Sequence, residues 1–356
     1  MKILHTADLH LTEKAAERWD AFKAIINLAL ANQVKLLVIC GDLFDNYREA
    51  EKLRPTLRGY FKDLPFHTVI LPGNHDYQAY REGLYFGEGV TVMSEGSPSL
   101  PIENVVLWAL PHASLKGQPL VSRLHQMKQV MNPQAQNILL YHGELLDAFF
   151  SRGEMGEEGD QRYMPVKLSY FEQLPLAYIL AGHFHSRYAV WPLPAGGQFI
   201  YCGSPVAITR RECGRRAVNL VDIEKGPSEI MLDTYHYEEL AVDLNPFSLR
   251  DPRAAVQEKL ENMHPQARVI LQIRGMFDGR ALKMTESDLA ADLRNLLGER
   301  LAAEPLAEYI DVGRVLEDDL FQKLASAIDK HESSDELKDK ALEIAFQAFR
   351  MVKRCS

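Results

Sequence analysis

The sequence predicts an α/β fold with a smaller α+β module and a helical C-terminal segment, on three observations. Short runs rich in Val, Ile and Leu recur up to about residue 224, each stopping at a polar cluster. A helical stripe lies between the first two runs. After about residue 240, helical patterns surround one further strand. At 356 residues the chain exceeds what one hydrophobic core usually supports, so more than one domain is expected.

The first run, Lys2-Ile3-Leu4, ends at His5-Thr6-Ala7-Asp8. Leu36 to Cys40 ends at Gly41-Asp42, Thr68 to Leu71 at Gly73-Asn74, and Asn104 to Leu110 at Pro111-His112. Ile138 to Leu140 meets Tyr141-His142, Ala177 to Leu180 meets Gly182-His183, and Gln198 to Tyr201 meets Gly203-Ser204-Pro205. Such bounded apolar runs read as buried strands. Between the first two, Trp19, Phe22, Ile25, Ile26 and Ala29 mark one helix face, which makes the local unit strand, helix, strand. Ligands of such folds bind beyond the carboxyl ends of the strands, where most of these polar clusters fall.

Lys225-Gly226-Pro227-Ser228 is a turn signal, and Glu229 to Leu232 and Leu240 to Leu244 read as strands leading away from the core. The strand Ala267 to Ile273 lies between helical stretches at 253–262 and 286–297. Ser333-Ser334-Asp335-Glu336 offers a capping box. Behind it, Leu337, Ala341, Ile344, Ala345, Ala348, Phe349 and Val352 form a stripe that either packs on its own domain or faces a partner. Ser151–Asp160, rich in Gly and acids, reads as a surface loop. The expected domains are 1–239, 240–312 and 313–356.

Composition is that of an ordinary globular protein, with 46% hydrophobic and 25% charged residues. The net charge of −9 is spread along the chain, so any nucleic acid must meet a local basic patch. Arg210-Arg211 and Arg215-Arg216 are the candidates. The four cysteines form no CxxC pair and no disulfide framework, which suits reduced thiols. No apolar run reaches the roughly 20 residues of a membrane helix, and the first ten residues turn polar too soon for a signal peptide. A soluble, cytoplasmic protein without membrane partners is expected.

Chemistry concentrates at the strand ends: Asp8 and His10, Asp42, Asn74 and His75, His142, and His183 with His185. A lone histidine after a strand is ordinarily a hydrogen-bonded structural residue. Carboxylates and imidazoles gathered at one sheet edge would repel or suffer desolvation, and a divalent cation removes both penalties. Imidazole and carboxylate without thiolate suit borderline metals such as manganese, iron or zinc, of which manganese is the expected one. Asp8, His10, Asp42, Asn74, His142, His183 and His185 are too many for one open tetrahedral site and match two metals sharing a bridge. Two such metals serve in-line displacement at phosphorus, so phosphoester hydrolysis is the expected chemistry.

Asp8-Leu9-His10, Gly41-Asp42, Gly73-Asn74-His75-Asp76, His142 and Gly182-His183-Phe184-His185, in that order, resemble the five motifs of the calcineurin-like metallophosphoesterases. The resemblance implies that family's four-layer β-sandwich flanked by helices. By matching position it implies that Asp8, His10, Asp42 and His185 hold one metal, and that Asp42 as bridge holds the other with Asn74, His142 and His183. His75 becomes a general acid or electrostatic stabiliser at the scissile phosphate, where a metal-activated water attacks, and Asp76 the carboxylate that orients it.

Within the family, Lys2 to Leu11, Gly41 to Asp45 and Tyr201-Cys202-Gly203-Ser204-Pro205 are similar to the SbcD-type nucleases of double-strand-break repair. That likeness implies DNA as substrate, with exonuclease or endonuclease activity. It also implies a capping domain that helps DNA bind, a helical tail docked on a coiled-coil ATPase of SbcC type, and a homodimer. Archaeal and eukaryotic relatives usually carry a second catalytic histidine where this chain has Asp45. Two alternatives stand beside this reading. One is a phosphodiesterase or phosphatase acting on nucleotides or other small molecules, and the other is a non-catalytic metal-binding scaffold.

Overall fold

The computed structural model describes residues 1–80, 85–95, 97–113, 117–148, 163–246 and 251–354. The Ser151–Asp160 loop lies outside them. The chain divides into two compact units, Met1–Tyr237 and Glu238–Ser356.

In chain order the first unit contains β1 (Lys2–Thr6), α1 (Ala16–Ala31), β2 (Leu36–Cys40), α2 (Tyr47–Phe61), β3 (His67–Leu71), β4 (Val90–Val92), β5 (Ser99–Ile102) and β6 (Val105–Leu110). There follow α3 (Gln118–Val130), β7 (Gln136–His142), β8 (Leu176–Gly182), β9 (Ala189–Pro192), β10 (Gln198–Tyr201), β11 (Ala217–Asp222) and β12 (Gly226–Met231). The strands form two mixed six-stranded sheets, in the orders β12-β11-β1-β2-β3-β4 and β5-β6-β7-β8-β10-β9. The interior strands β1, β2 and β3 are parallel, as are β6, β7, β8 and β10.

Period-2 alternation sorts the apolar side chains into layers. Leu4, Leu37, Ile39 and Ile70 pack with Phe22, Ile25, Leu53 and Leu57 of α1 and α2. Their strand neighbours Ile3, Val38, Cys40, Val69 and Leu71 pack instead with Leu107, Ile138, Leu140, Leu180 and Ile200 of the second sheet. On that sheet's outer face, Leu139, Tyr141, Ile179 and Phe199 meet Leu120 and Leu124 of α3. The architecture is therefore helix, sheet, sheet, helix. Fully burying one such aliphatic side chain stabilises by about 1.5–3 kcal/mol, which gives the layer between the sheets its rigidity.

Register decides where the strands stop. Thr6 lies opposite Ile39 and Cys40 opposite Leu71, so β1, β2 and β3 leave their sheet at nearly one level. His142 lies opposite Gly182, which brings the ends of β7 and β8 together. The helix α2 starts under a cap in which Asn46 accepts from the backbone N–H groups of Arg48 and Glu49, and it buries Ala50, Leu53, Leu57 and Phe61.

One expectation fails here. The stretch after the Lys225-Gly226 turn does not lead away from the core: β12 turns back through a tight hairpin, pairs antiparallel with β11, and forms the edge of the first sheet. Gly226, at φ 93°, adopts the left-handed backbone that this turn requires.

The second unit holds a three-stranded sheet of β13 (His236–Leu244), β14 (Ala267–Phe277) and β15 (Leu306–Asp311). Val256 of the helix Pro252–Glu261 and Leu289, Leu293 and Leu297 of the helix Glu286–Leu297 pack with Leu240, Val269 and Leu271 of the sheet. Thr285 and Asp288 close a capping box at the start of the latter helix. Two further helices, Asp319–Asp329 and Asp335–Arg354, share a cluster in which the Phe321 and Phe346 rings lie 4.5 Å apart. The buried face of the last helix is Leu342, Ala345, Phe346 and Phe349. Leu337 and Ile344, expected in the same stripe, are exposed. Among the described residues, no helix is long and apolar enough to cross a membrane.

Candidate metal centre

The loops that follow β1, β2 and β3 converge with the ends of β7 and β8, and they bring polar side chains into a buried space. Asp8, Asp42 and His142 are fully buried, and His10, His183 and His185 nearly so. Hydrogen bonds lock the loops to one another. Asp8 N–H donates to the Gly41 carbonyl at 3.1 Å, and His10 N–H to that of Asp42 at 2.9 Å. The Asp42 Oδ1 accepts from His75 N–H at 2.9 Å, and Asp8 accepts from His183 N–H at 3.0 Å.

The backbone is strained where the chemistry lies. Asp8 (φ 55°), His10 (φ 46°), Asp42 (φ 49°) and His183 (φ 96°) all occupy positive φ without being glycine. Each such residue costs roughly 1–3 kcal/mol, and this cost persists only where surrounding structure over-determines it, most often at functional sites. Two glycines make room. A Cβ on Gly73 would stand 2.1 Å from Asp42 Oδ1, and one on Gly41 would stand 1.9 Å from His142 Nδ1.

The ligating atoms form three overlapping groups, each with its atoms within 4.8 Å of one another: Asp8, His10 and His185; His10, Asp42 and His75; and Asp8, Asp42 and His142. His10 Nε2 and His185 Nε2 are 3.3 Å apart, and His185 Nε2 lies 3.7 Å from Asp8 Oδ1. His142 Nε2 lies 2.8 Å from Asn74 Oδ1 and 3.2 Å from Asp42 Oδ2. His183 lies beside His142, their ring centroids 5.5 Å apart, outside these three groups. His142 Nδ1 sits 2.8 Å from the Cys40 carbonyl, a contact that fixes the N–H there and turns the Nε2 lone pair inward.

These residues fit a pair of divalent cations. Asp42 Oδ2 is buried and makes no well-aligned hydrogen bond, an arrangement that is costly without a cation beside it. The electrostatics agree. Burial alone would lower the His142 imidazole, but Asp42 and then Asp8 push it up to about 10. Asp42, against its burial, is held below the usual carboxylate range by His142 and His10. The space thus favours positive charge, and the donor set of carboxylate, imidazole and amide without thiolate suits borderline divalent metals.

Of the expected ligands, Asp8, His10, Asp42, His142 and His185 fall in these groups, Asn74 meets His142 and His183 lies beside it, with His75 at the exposed rim. His75 Nδ1 meets the Asp45 carbonyl at 3.1 Å, and its ring lies 4.7 Å from that of His10. Arg18 reaches the site unforeseen, pairing with Asp45 at 2.9 Å and donating to the His10 carbonyl. The Asp76 carboxylate accepts from Gly73 N–H, Phe44 N–H and the Tyr80 hydroxyl, so it braces the loop's backbone. Burial, then the Asp42 charge, push Asp76 up to about 7.

The basic patch is also smaller than expected. Arg210, Arg211 and Arg215 are exposed, the last paired with Asp233 at 2.7 Å. Arg216 is 1% exposed and donates to buried carbonyls, which removes it from any contact with a phosphate backbone. Glu212, between these arginines, was missed altogether. It is buried, and its Oε1 lies 3.3 Å from His185 Nδ1. The one signal in the sequence was an acid standing alone among four arginines just past Gly203-Ser204-Pro205.

The model of the calcineurin-like phosphoesterase family matches residues 1–187, which contain every strand end of the cluster. The chain belongs to the calcineurin-like phosphoesterases. This phosphoesterase is similar to the DNA double-strand break repair protein Mre11 of Sulfolobus acidocaldarius, 23% identical over 305 residues, which span 77% of this chain and 74% of that protein. It is similar to the Mre11 of Sulfurisphaera tokodaii as well, 23% identical over 285 residues, 73% of this chain and 70% of that one. Among solved structures, a dimetal phosphatase from Danio rerio matches 65% of the phosphoesterase and 98% of its own chain, with a TM-score of 0.46 and 10% identity.

Proposed function

We propose that this phosphoesterase is a two-metal phosphodiester hydrolase that acts on DNA. The observation that carries the two-metal reading is the overlap of the ligand groups, in which Asp8, His10 and Asp42 each belong to two, with Asp42 Oδ2 buried among them and without a well-aligned hydrogen bond. Asp8, His10, Asp42 and His185 would hold one cation, and Asp42, Asn74, His142 and His183 the other. Manganese suits this mixed nitrogen and oxygen set. Bound there, the cations supply a nucleophilic water at neutral pH and neutralise the phosphoryl oxygens.

The chain's own residues do the rest. His142 and His185 keep their Nε2 atoms inward because their Nδ1 atoms face the Cys40 carbonyl and the Glu212 carboxylate. His75, exposed at the rim with Nδ1 against the Asp45 carbonyl, is the candidate that as an imidazolium would protonate the departing oxygen. Asp45 itself is tied to Arg18.

DNA as the substrate is supported by the likeness to the Mre11 proteins, which spans both units, and by Arg210 and Arg211, exposed near the site's Glu212 segment. On this reading residues 240–312 act as a capping module. The helices from 313 onward, with Leu320, Leu324, Leu337 and Ile344 exposed, offer an apolar face to a coiled-coil ATPase. A homodimer is part of the same proposal. The net charge of −9 favours a second reading, in which the substrate is a nucleotide or another small phosphodiester.

The test compares a linear duplex with a small chromogenic phosphodiester, in Mn²⁺ and in EDTA, with Asp42→Ala beside the native chain. Metal-dependent cutting of the duplex, lost in Asp42→Ala together with bound metal, is the expected result. Turnover of the small ester alone would move the substrate to the second reading. Two fully bound ions in Asp42→Ala would overturn the bridge.

A further inference from the structure

His185 is held from behind as closely as from in front. Its Nε2 faces His10 and Asp8, while its Nδ1, on the far side of the ring, faces Glu212 Oε1 at 3.3 Å. A neutral imidazole that donates Nδ1–H to a carboxylate must present its Nε2 lone pair, so this contact selects the tautomer that can bind a cation.

Glu212 cannot rotate away. Its Oε1 also accepts from Thr209 N–H at 3.2 Å and the Thr209 hydroxyl at 3.1 Å. Its Oε2 accepts from Ile208 N–H at 2.8 Å and the Ser204 hydroxyl at 3.2 Å. Every neighbour is a donor, an arrangement that suits an ionised carboxylate and no neutral side chain. A buried carboxylate needs a countercharge, and Arg216 supplies it. The Arg216 guanidinium donates to the carbonyls of His185, Ser204 and Glu212 and to the Ser204 hydroxyl, which ties the backbone of the ligand to the loop that restrains its ring.

The Tyr201 to Pro205 motif acquires a purpose here. Gly203, at φ 73°, turns the chain so that Ser204 N–H reaches the His185 carbonyl at 2.9 Å. A Cβ on Gly203 would crowd that same carbonyl at 3.1 Å.

We infer that Glu212, clamped by Ser204, Thr209 and Arg216, is a positioning residue that fixes the His185 ring and sets the affinity of the cation held by Asp8, His10, Asp42 and His185. This rests on the two-metal reading above. Loss of such a supporting partner typically lowers metal affinity by about 10- to 100-fold. The effect belongs to one of the two sites, because His142 of the other is oriented from the Cys40 carbonyl and Asn74 meets His142.

The experiment is a Mn²⁺ titration of the full chain after stripping with EDTA, followed by electron paramagnetic resonance and calorimetry, for the native protein and Glu212→Gln. The native chain is expected to bind two ions. Glu212→Gln should weaken one of them by about 10- to 100-fold and leave the other unchanged, with a lowered melting temperature in EDTA because Arg216 loses its buried countercharge. Turnover should then recover toward the native kcat as Mn²⁺ is raised. Two unaltered ions in Glu212→Gln would overturn the inference and leave the two-metal reading standing. Equal weakening of both ions would reduce Glu212 to a structural role and also overturn it. A native chain that binds no Mn²⁺ would remove both readings. Ser204→Ala, which deletes one donor to Glu212 and keeps its charge, is read by the same criteria if Glu212→Gln does not fold; a smaller loss at the same single site is expected.

Discussion

In the unit Met1–Tyr237 the buried polar residues include Asp8, His10, Asp42, Asp76, His142, His183, His185, Glu212 and Arg216, whereas the buried side chains among the described residues of Glu238–Ser356 are apolar. The second unit keeps its ion pairs outside: Arg253 with Asp292, Arg274 with Asp243 and Arg294 with Glu304 are all exposed. It also leaves Leu306, Leu320, Leu324, Leu337 and Ile344 in contact with water. Burying an ion costs several kcal/mol unless it is paired, and exposing leucines favours association, so each unit tolerates a different unfavourable feature. The first concentrates charge for chemistry. The second leaves apolar side chains at its surface.

The sharpest way to break this comparison lies at the rim, where His75 is exposed beside the buried cluster. His75→Ala is expected to lower kcat by about 10²-fold or more, the usual worth of a general acid, while two Mn²⁺ ions remain bound. Metal content measured on the purified variant decides the matter. His75 shares a ligand group with His10 and Asp42, so loss of an ion would make it a ligand and shift the acid role elsewhere.

A smaller effect on catalysis is expected from the other unit. Leu337→Glu combined with Ile344→Glu places charge on a face that is 60–61% exposed, so folding and hydrolysis of a small phosphodiester should stay near the native level. On the proposed reading, association with a coiled-coil ATPase should weaken about tenfold or more, as loss of apolar anchors at an interface does. Unchanged association in a pull-down would move the docking surface away from these helices. Loss of small-ester turnover would mean that the tail supports the catalytic unit.

The cluster was legible because each of its residues ends a strand, and parallel strands in register must release their loops at one level. Short apolar runs that end in Gly-Asp or Gly-Asn-His-Asp carry that information in a few adjacent residues. Glu212 and Arg216 were not legible, since only the fold brings position 212 behind His185, and a pair of arginines in a row reads equally well as surface. The helix α2 was hidden by Pro55 within it, although Ala50, Leu53, Leu57 and Phe61 keep helical spacing. The stripe of the last helix was read one step around from its buried face. Alanines at 341, 345 and 348 fit either side, and Phe346, which decides the side, was left out.

The finest separation of the two units uses a group outside the cluster. His5 is fully buried in β1, with Asn219 Nδ2 at 3.4 Å from its Nδ1, and burial lowers its pKa from 6.5 to about 3. The sign follows from proton binding. Between about pH 6.5 and pH 3 the unfolded chain protonates this imidazole and the folded chain does not, so its contribution to stability is complete above the unfolded value and is lost as the pH falls. Asp76, raised to about 7, acts in the opposite sense over part of that window, so the quantity to read is the difference between the native chain and His5→Gln. That difference should change by at most about 1.4 kcal/mol per pH unit. All three tryptophans, Trp19, Trp108 and Trp191, lie in the first unit, so tryptophan fluorescence during urea unfolding in EDTA reports on it alone. If His5→Gln tracks the native chain from pH 6.5 downward, His5 is charged or hydrated in the folded state, and the first unit's core admits water where this structure closes it.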